Sequence, residues 1–298
     1  MRNIFSFAAM YKNILPGLLF AVLWASGSVA VKLGILSADA LMLACVRFIL
    51  TGFIFLPALS LTTKHRLIPR GGEWKQLAIY GFLNSTLTLG SFFAAQKYVS
   101  AGISMLFIAT APLLIALLSA TFLKRKLSRF EVVGMLLAFA GLVIASNAEV
   151  RSAHFSVVGI VLLLVYITAY ALSSVYFSSI KSGLSNMVFN VWQVFLGGVL
   201  LIPLCFIFSQ SHIRHYDVNL YLSMAWLIFV LSFVANQLWL YMLKIDTVKA
   251  AAWLYLTPVF GYLFGYLVLG ERITVPAIAG TAVVITGLII SKKTASTT

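Results

Sequence analysis

KYVSAGISMLFIATAPLLIALLSATFLKRKLSRFEVVGMLLAFAGLVIAS, residues 97–146, decides the fold, because the chain contains this stretch twice. Moved forward by about 146 positions it falls on residues 243–292. Pro112 then lands on Pro258, Gly134 on Gly280 and Gly141 on Gly287. Each copy is an apolar run with a proline near its middle, a short charged joint, and a second apolar run with two glycines seven apart. The same offset carries Gly52 onto Gly198 and Pro57 onto Pro203. Self-similarity over this length is the mark of a structural unit copied and fused.

Composition sets the solvent. Of 298 residues, 62% are hydrophobic and 9% charged, which excludes a soluble globular domain. Apolar runs near 14–34, 38–60, 76–96, 101–123, 130–147, 156–178, 184–207, 221–242, 248–269 and 274–291 each approach the length of a bilayer span. The expected fold is therefore an all-α membrane protein of ten transmembrane helices, in a first five-helix repeat (14–147) and a second (156–291). Cys45 and Cys205 lie inside apolar runs and read as small core residues.

The net charge of +14 is topological, not a nucleic-acid footprint. With the N-terminus inside, the inner joints hold fifteen Lys and Arg and the outer side five, so both termini are expected in the cytoplasm. Five spans per repeat is an odd number, so the second repeat must enter the membrane inverted, as in many secondary transporters. The inner joint of residues 124–129, KRKLSR, is strongly basic, whereas its outer equivalent, residues 270–274, GERIT, has lost most of that charge.

On its motifs the chain resembles the ten-span EamA type of the drug/metabolite transporter superfamily, expected in a bacterial inner membrane. The resemblance rests on Trp24 to Ser28 (WASGS) followed by Lys32, on Val46-Arg47-Phe48, on the segments around Pro112 and Pro258, and on the Leu269 to Thr274 joint with the glycines after it. One departure stands out. The family often has an L-x-x-E joint in both halves, but here Arg125 and Lys126 occupy that place in the first, leaving Glu271 alone. The resemblance implies a carrier of small metabolites such as amino acids, or of drugs, usually exported by alternating access around a central cavity. It implies no enzyme activity and no cofactor.

Polar groups in lipid are costly and mark candidate sites. The acids Asp39, Glu73, Glu131, Glu149, Asp217, Asp246 and Glu271 all fall at or near span ends, so a proton-coupled exporter of cations through a buried carboxylate is not expected. Arg47 stands about 12 Å into the second span, counting 1.5 Å per residue. It either attracts an anionic substrate group or fixes packing, through backbone carbonyls or Glu271; Lys32 either faces the cavity or snorkels. Further candidates for the cavity are Trp24, Ser28, Asn84, Tyr166, Tyr170, Gln193, Asn236, Trp253 and Tyr255. Asn190 is a comparable amide. Gln193 is the repeat equivalent of Arg47, and a shift of about 142 pairs Trp24 with Tyr166. Pro112 and Pro258 are either hinges or fixed kinks. The four glycines of the fifth and tenth spans suit close helix contact, within one subunit or between two, so the state is monomer or homodimer. No His, Asp-rich or metal-ligand cluster supports a membrane-embedded enzyme. The alternatives that remain are a multidrug or toxic-compound efflux carrier and a passive channel.

Overall fold

The computed structural model describes residues 2–95, 98, 101–151, 156–209, 213–269 and 274–292, and among them every regular element is helical. The helices are α1 (Arg2–Ser37), α2 (Ala40–Thr62), α3 (Glu73–Ala95), α4 (Ala101–Phe122), α5 (Arg129–Arg151), α6 (Val157–Ser179), α7 (Asn186–Phe208) and α8 (Val218–Ile245). After them α9 runs as Thr247–Ala252, tightens through Trp253–Leu256 and resumes as Thr257–Leu269, and α10 is Val275–Lys292. The expected apolar runs coincide with these helices to within four residues, save that α1 begins at Arg2. Seven of the helices are long and apolar enough to cross a membrane, and α4 and α10 contribute the shorter apolar stretches Thr110–Phe122 and Val275–Ser291. Large apolar side chains such as Leu61, Phe206 and Val157 stand about four-fifths exposed, as a lipid-facing surface requires.

Short polar residues set the helix starts. Asp39 accepts from the Leu41 amide (3.1 Å), Ser156 from Gly159 (3.2 Å), Ser185 from Val188 (3.3 Å), and Asp217 from Leu220 (2.9 Å). Ser128 and Glu131 bond each other's amides reciprocally at the start of α5. Each acid whose side chain is described thus sits at a helix end, where an N-terminus attracts negative charge. Glu149 and Glu271 lie outside the residues whose side chains are described.

Equivalent helices of the two repeats pack on each other antiparallel. In the α2–α7 pair the Cys205 sulfur lies 3.4 Å from Leu41 O and the Cys45 sulfur 3.6 Å from Gly198 O, while Gly52 faces Phe195. As one residue number rises the other falls. In the α5–α10 pair Gly134 abuts Gly287 and Gly141 abuts Gly280. The glycines thus serve contact within one chain. The other contacts obey the same exchange: α1 packs on α8 and α9, and α6 on α3 and α4.

Two features had no warning in the residue pattern. Phe82–Leu89 of α3 and Trp226–Ala235 of α8 are wound as π-helix, and the 146-residue offset superposes one on the other. The two prolines also differ. Pro112 lies within the continuous helix α4, whereas Pro258 is the second residue of the segment after the tight turn of α9. There its missing N–H costs little, because the first amides of a helix lack intrahelical partners anyway.

Candidate functional site

The main core lies where α1, α3, α6, α7 and α8 meet, and aromatic rings cross it in one continuous run. Trp24 stacks on Phe20 (5.4 Å between centroids), Phe20 on Trp239 (5.0 Å), Trp239 on Tyr170 (5.5 Å), Tyr170 on Tyr166 (6.1 Å), and Tyr166 leans on Phe92 (5.1 Å). The run therefore joins Trp24, Tyr166 and Tyr170, expected at the cavity from sequence, with Trp239, which the sequence offers only as one of the polar residues of the eighth span, and with Phe20 and Phe92, which it does not single out. Phe20–Trp24 and Tyr166–Tyr170 are both stacked pairs four apart on a helix, and they are 146 positions apart. The equivalent of Trp24 is thus Tyr170, and the 142-residue shift that would pair it with Tyr166 is not needed. Applying the main offset to Tyr166 would have found Phe20. Trp239 Nε1 and the Tyr170 hydroxyl are buried without a hydrogen-bond partner, as are the hydroxyls of Tyr80 and Tyr255. A buried donor left unpaired costs about 1–3 kcal/mol.

The amides form a second group. Asn190 Nδ2 donates to Ser232 O (3.1 Å) and Phe233 O (3.2 Å), two carbonyls of the π-wound stretch of α8. Its Oδ1 accepts from Asn236 Nδ2 (2.8 Å) and Gln193 Nε2 (3.2 Å). Gln193 Oε1 accepts from Ser85 (3.3 Å), and Thr86 donates to Gly197 O (2.8 Å). Asn190 and Gln193 are fully buried. Expected to line a pathway, these amides tie the π-wound stretches of α3 and α8 to α7. Asn84 is buried within the α3 stretch.

Arg47 is buried on α2, with its guanidinium 4.5 Å from the Phe48 ring centroid and 5.7 Å from that of Phe93. Aromatic faces attract a cation but do not replace its hydrogen bonds, and Arg47 Nε has no partner. Trp253 and Tyr255 are buried on the tight turn of α9, Trp253 against Gly17 of α1. The side chain of Ser28 lies outside the described residues. Phe93 in turn meets Phe92 (6.1 Å between centroids), so Arg47 adjoins one end of the aromatic run, and Trp253 of the α9 turn shares the core of Phe20, Tyr170 and Trp239. An apolar groove of about 500 Å³ opens between α4, α5 and α6 beside Phe107, Leu114, Phe139 and Leu164. It contains none of the candidate residues, and its one hydroxyl, Thr110, is bonded to Phe107 O (2.7 Å). Among the described residues no cluster could ligate a metal.

Comparison with known proteins agrees with this architecture. The EamA-like transporter family matches residues 12–147 and again residues 157–292. An "Uncharacterized transporter" of Archaeoglobus fulgidus is 27% identical over 278 residues, covering 90% of this chain and 94% of the relative. A "Probable amino-acid metabolite efflux pump" of Salmonella typhimurium is 26% identical over 288 residues, with 92% of each covered. The "Uncharacterized inner membrane transporter YedA" of Escherichia coli is 26% identical over 270 residues, covering 89% and 86%. One solved crystal structure has the same fold, with a TM-score of 0.79 at 18% identity over 95% of this chain and 96% of that one. With both halves matched by one family and a lipid-facing helical surface around them, the chain is a multi-pass membrane transporter that belongs to the EamA-like transporter family.

Proposed function

We propose that this transporter is an inner-membrane exporter of small, carboxylate-bearing metabolites such as amino acids. It works by alternating access between two inverted five-helix repeats, with ten spans and both termini in the cytoplasm. The observation that carries this reading is the antiparallel packing of repeat-equivalent helices, α2 on α7 and α5 on α10. Copies of parallel topology would place equivalent helices parallel. Inverted copies give two near-equivalent ways of opening, one to each side, which is what a carrier needs. The basic excess of the inner joints supports the orientation. The Salmonella relative's name supports the substrate class, and the E. coli relative's the inner membrane.

In this reading the aromatic run receives the apolar part of the solute. The unpaired donors on Tyr170 and Trp239, together with Arg47, supply positive potential for its carboxylate. No described acid lies mid-helix to hold a cation, which argues against a cationic-drug exporter. Counterflow in liposomes tests the proposal. Preloaded amino acids, organic acids, nucleosides and sugars are compared, and counterflow is expected for carboxylate-bearing solutes. Fast flux without counterflow would identify a channel, and counterflow of cationic drugs alone would identify multidrug efflux.

Two variants locate the carboxylate site. Arg47→Gln and Arg47→Ala are expected to reduce counterflow at least about tenfold, because a hydrogen bond to a charged group contributes about 1.5–3 kcal/mol. Unchanged counterflow of every carboxylate-bearing solute in both variants would remove Arg47 from the site. Tyr170→Phe deletes a buried hydroxyl that has no partner, so the empty protein should gain about 1 kcal/mol while solute affinity falls. A ring that serves packing alone would show the first effect without the second.

A further inference from the structure

The joint between α4 and α5 meets the joint between α8 and α9, and one side chain holds them together. Arg125 donates from Nε to Asp246 Oδ1 (3.1 Å) and from Nη2 to Asp246 Oδ2 (2.9 Å). It also donates from Nη1 to Glu131 Oε2 (3.0 Å) and from Nη2 to Glu131 Oε1 (2.6 Å). Both carboxylates are engaged bidentately, the strongest geometry a guanidinium offers. Both are also fixed from behind. Glu131 accepts from the Ser128 amide (3.0 Å), and Asp246 caps α9 through Val248 N (3.0 Å) and Lys249 N (3.1 Å). The preceding residue, Lys124, has φ of 53°, a left-handed conformation that a residue with a side chain rarely adopts. Such strain persists only where the surroundings over-determine it. The pair with Glu131 also holds the Arg125 guanidinium more firmly protonated than usual.

The repeat makes this cluster informative. Shifted by 146 positions, Arg125, Glu131 and Asp246 correspond to Glu271, Ala277 and Ser100. Those three positions hold no cation and one acid, so they cannot reproduce a guanidinium between two carboxylates. The neighbouring Arg272 stands where Lys126 does. Two inverted repeats with identical sequences would favour neither side. Here one end has a three-residue ionic tie between the halves, and the residue types at the equivalent positions cannot make the same one.

We infer that Arg125, with Glu131 and Asp246, is the positioning element that keeps the resting carrier closed at its inner end, and that each transport cycle must break this tie. The inference rests on the alternating-access reading above. Beside the tie, contacts within the second repeat fasten the end of α6 to α8 and α9: Lys244 Nζ donates to Phe177 O (2.9 Å) and Ile180 O (2.6 Å), and Thr247 donates to Ser178 (2.7 Å). Glu131→Gln keeps the shape but weakens one arm, and Arg125→Lys keeps the charge but loses the bidentate fork.

The test reads accessibility in the substrate-free protein, so its failure is separable from a failure to transport. In a Cys45→Ala/Cys205→Ala background, Ser178→Cys places a thiol beneath the tie. Labelling by a membrane-impermeant maleimide in inside-out vesicles is then measured. Arg125→Gln and Asp246→Asn are each expected to speed labelling about tenfold, the change produced when a closed state loses a tenfold population advantage. Arg125→Lys should fall between them and the parent. Unchanged labelling in folded, monodisperse Arg125→Gln overturns the inference. Should the loss variants fail to fold, the triple variant Ser100→Asp/Glu271→Arg/Ala277→Glu decides. It builds the tie at the opposite end and should speed labelling of Ser178→Cys, and no change there overturns the inference equally.

Discussion

Gly280→Ala lowers the thermal stability of the purified protein. Intrinsic propensity points the other way, since alanine in a helix interior is favoured over glycine by about 1 kcal/mol. Packing decides the sign. A Cβ at position 280 would overlap Gly141 O and stand 2.6 Å from the Ala145 backbone nitrogen. Backbone atoms cannot rotate aside, so α5 and α10 must separate along their length. Overpacking of this kind costs about 1–3 kcal/mol, more than the propensity gain, and it spreads because the helices touch at two levels. At the second level a Cβ on Gly287 would stand 2.6 Å from both Gly134 O and Ala138 N. Gly287→Ala is therefore expected to act likewise, and Gly280→Leu to abolish folding. Gly72→Ala is the control, because nothing lies within 4 Å of its Cβ and its φ of −65° suits any residue. The measurement is thermal unfolding in detergent. A melting temperature for Gly280→Ala equal to or above the parent's would sink the close-contact account.

The second large effect belongs to Asn190. Asn190→Leu is nearly volume-conserving but removes every bond of the central amide. The carbonyls of Ser232 and Phe233 lose their donor, and Asn236 and Gln193 lose their acceptor, inside a fully buried core. Interhelical hydrogen bonds in membrane proteins average about 0.6 kcal/mol and reach about 1.7. Four together imply a loss of about 2–4 kcal/mol. The predicted order is Asn190→Leu, then Gln193→Leu, then Ser85→Ala, whose single bond is the long one at 3.3 Å. A stability change for Asn190→Leu of under about 0.5 kcal/mol would show that the π-wound stretch of α8 holds itself without side-chain support.

The same residues show how much of the site could be read in advance. Amides in a lipid-spanning chain signal a reason for their expense, but not which reason. Asn190, Gln193 and Asn236 find one another and the freed carbonyls of α8, which is a matter of which helices are neighbours. Trp24, Tyr166 and Tyr170 share an aromatic run because α1 and α6 lie on either side of Trp239 on α8. The repeat offset from Tyr166 reaches Phe20, but no pattern in the sequence brings Phe92 into it. Arg125 looked like one more basic residue of an inner joint, yet its carboxylate partner Asp246 is 121 positions away. Pro112 and Pro258 gave a misleading impression of symmetry, since Pro112 lies inside a continuous helix and Pro258 follows a tightened turn.

By itself, the sequence determined the helical class, the apolar runs, the duplication and the glycines reserved for close contact. Each of these follows from a property that is periodic or additive along the chain: apolar length against bilayer thickness, recurrence at one offset, and the absence of a Cβ. Only the tertiary structure decided where α3 and α8 wind as π-helix, which amides are satisfied internally, which aromatic donors are left unpaired, and that an ionic tie joins the halves at one end. These depend on distances between residues remote in sequence. In a low-dielectric interior the energy of a polar group is set by its partner, and the partner is known only once the helices have packed.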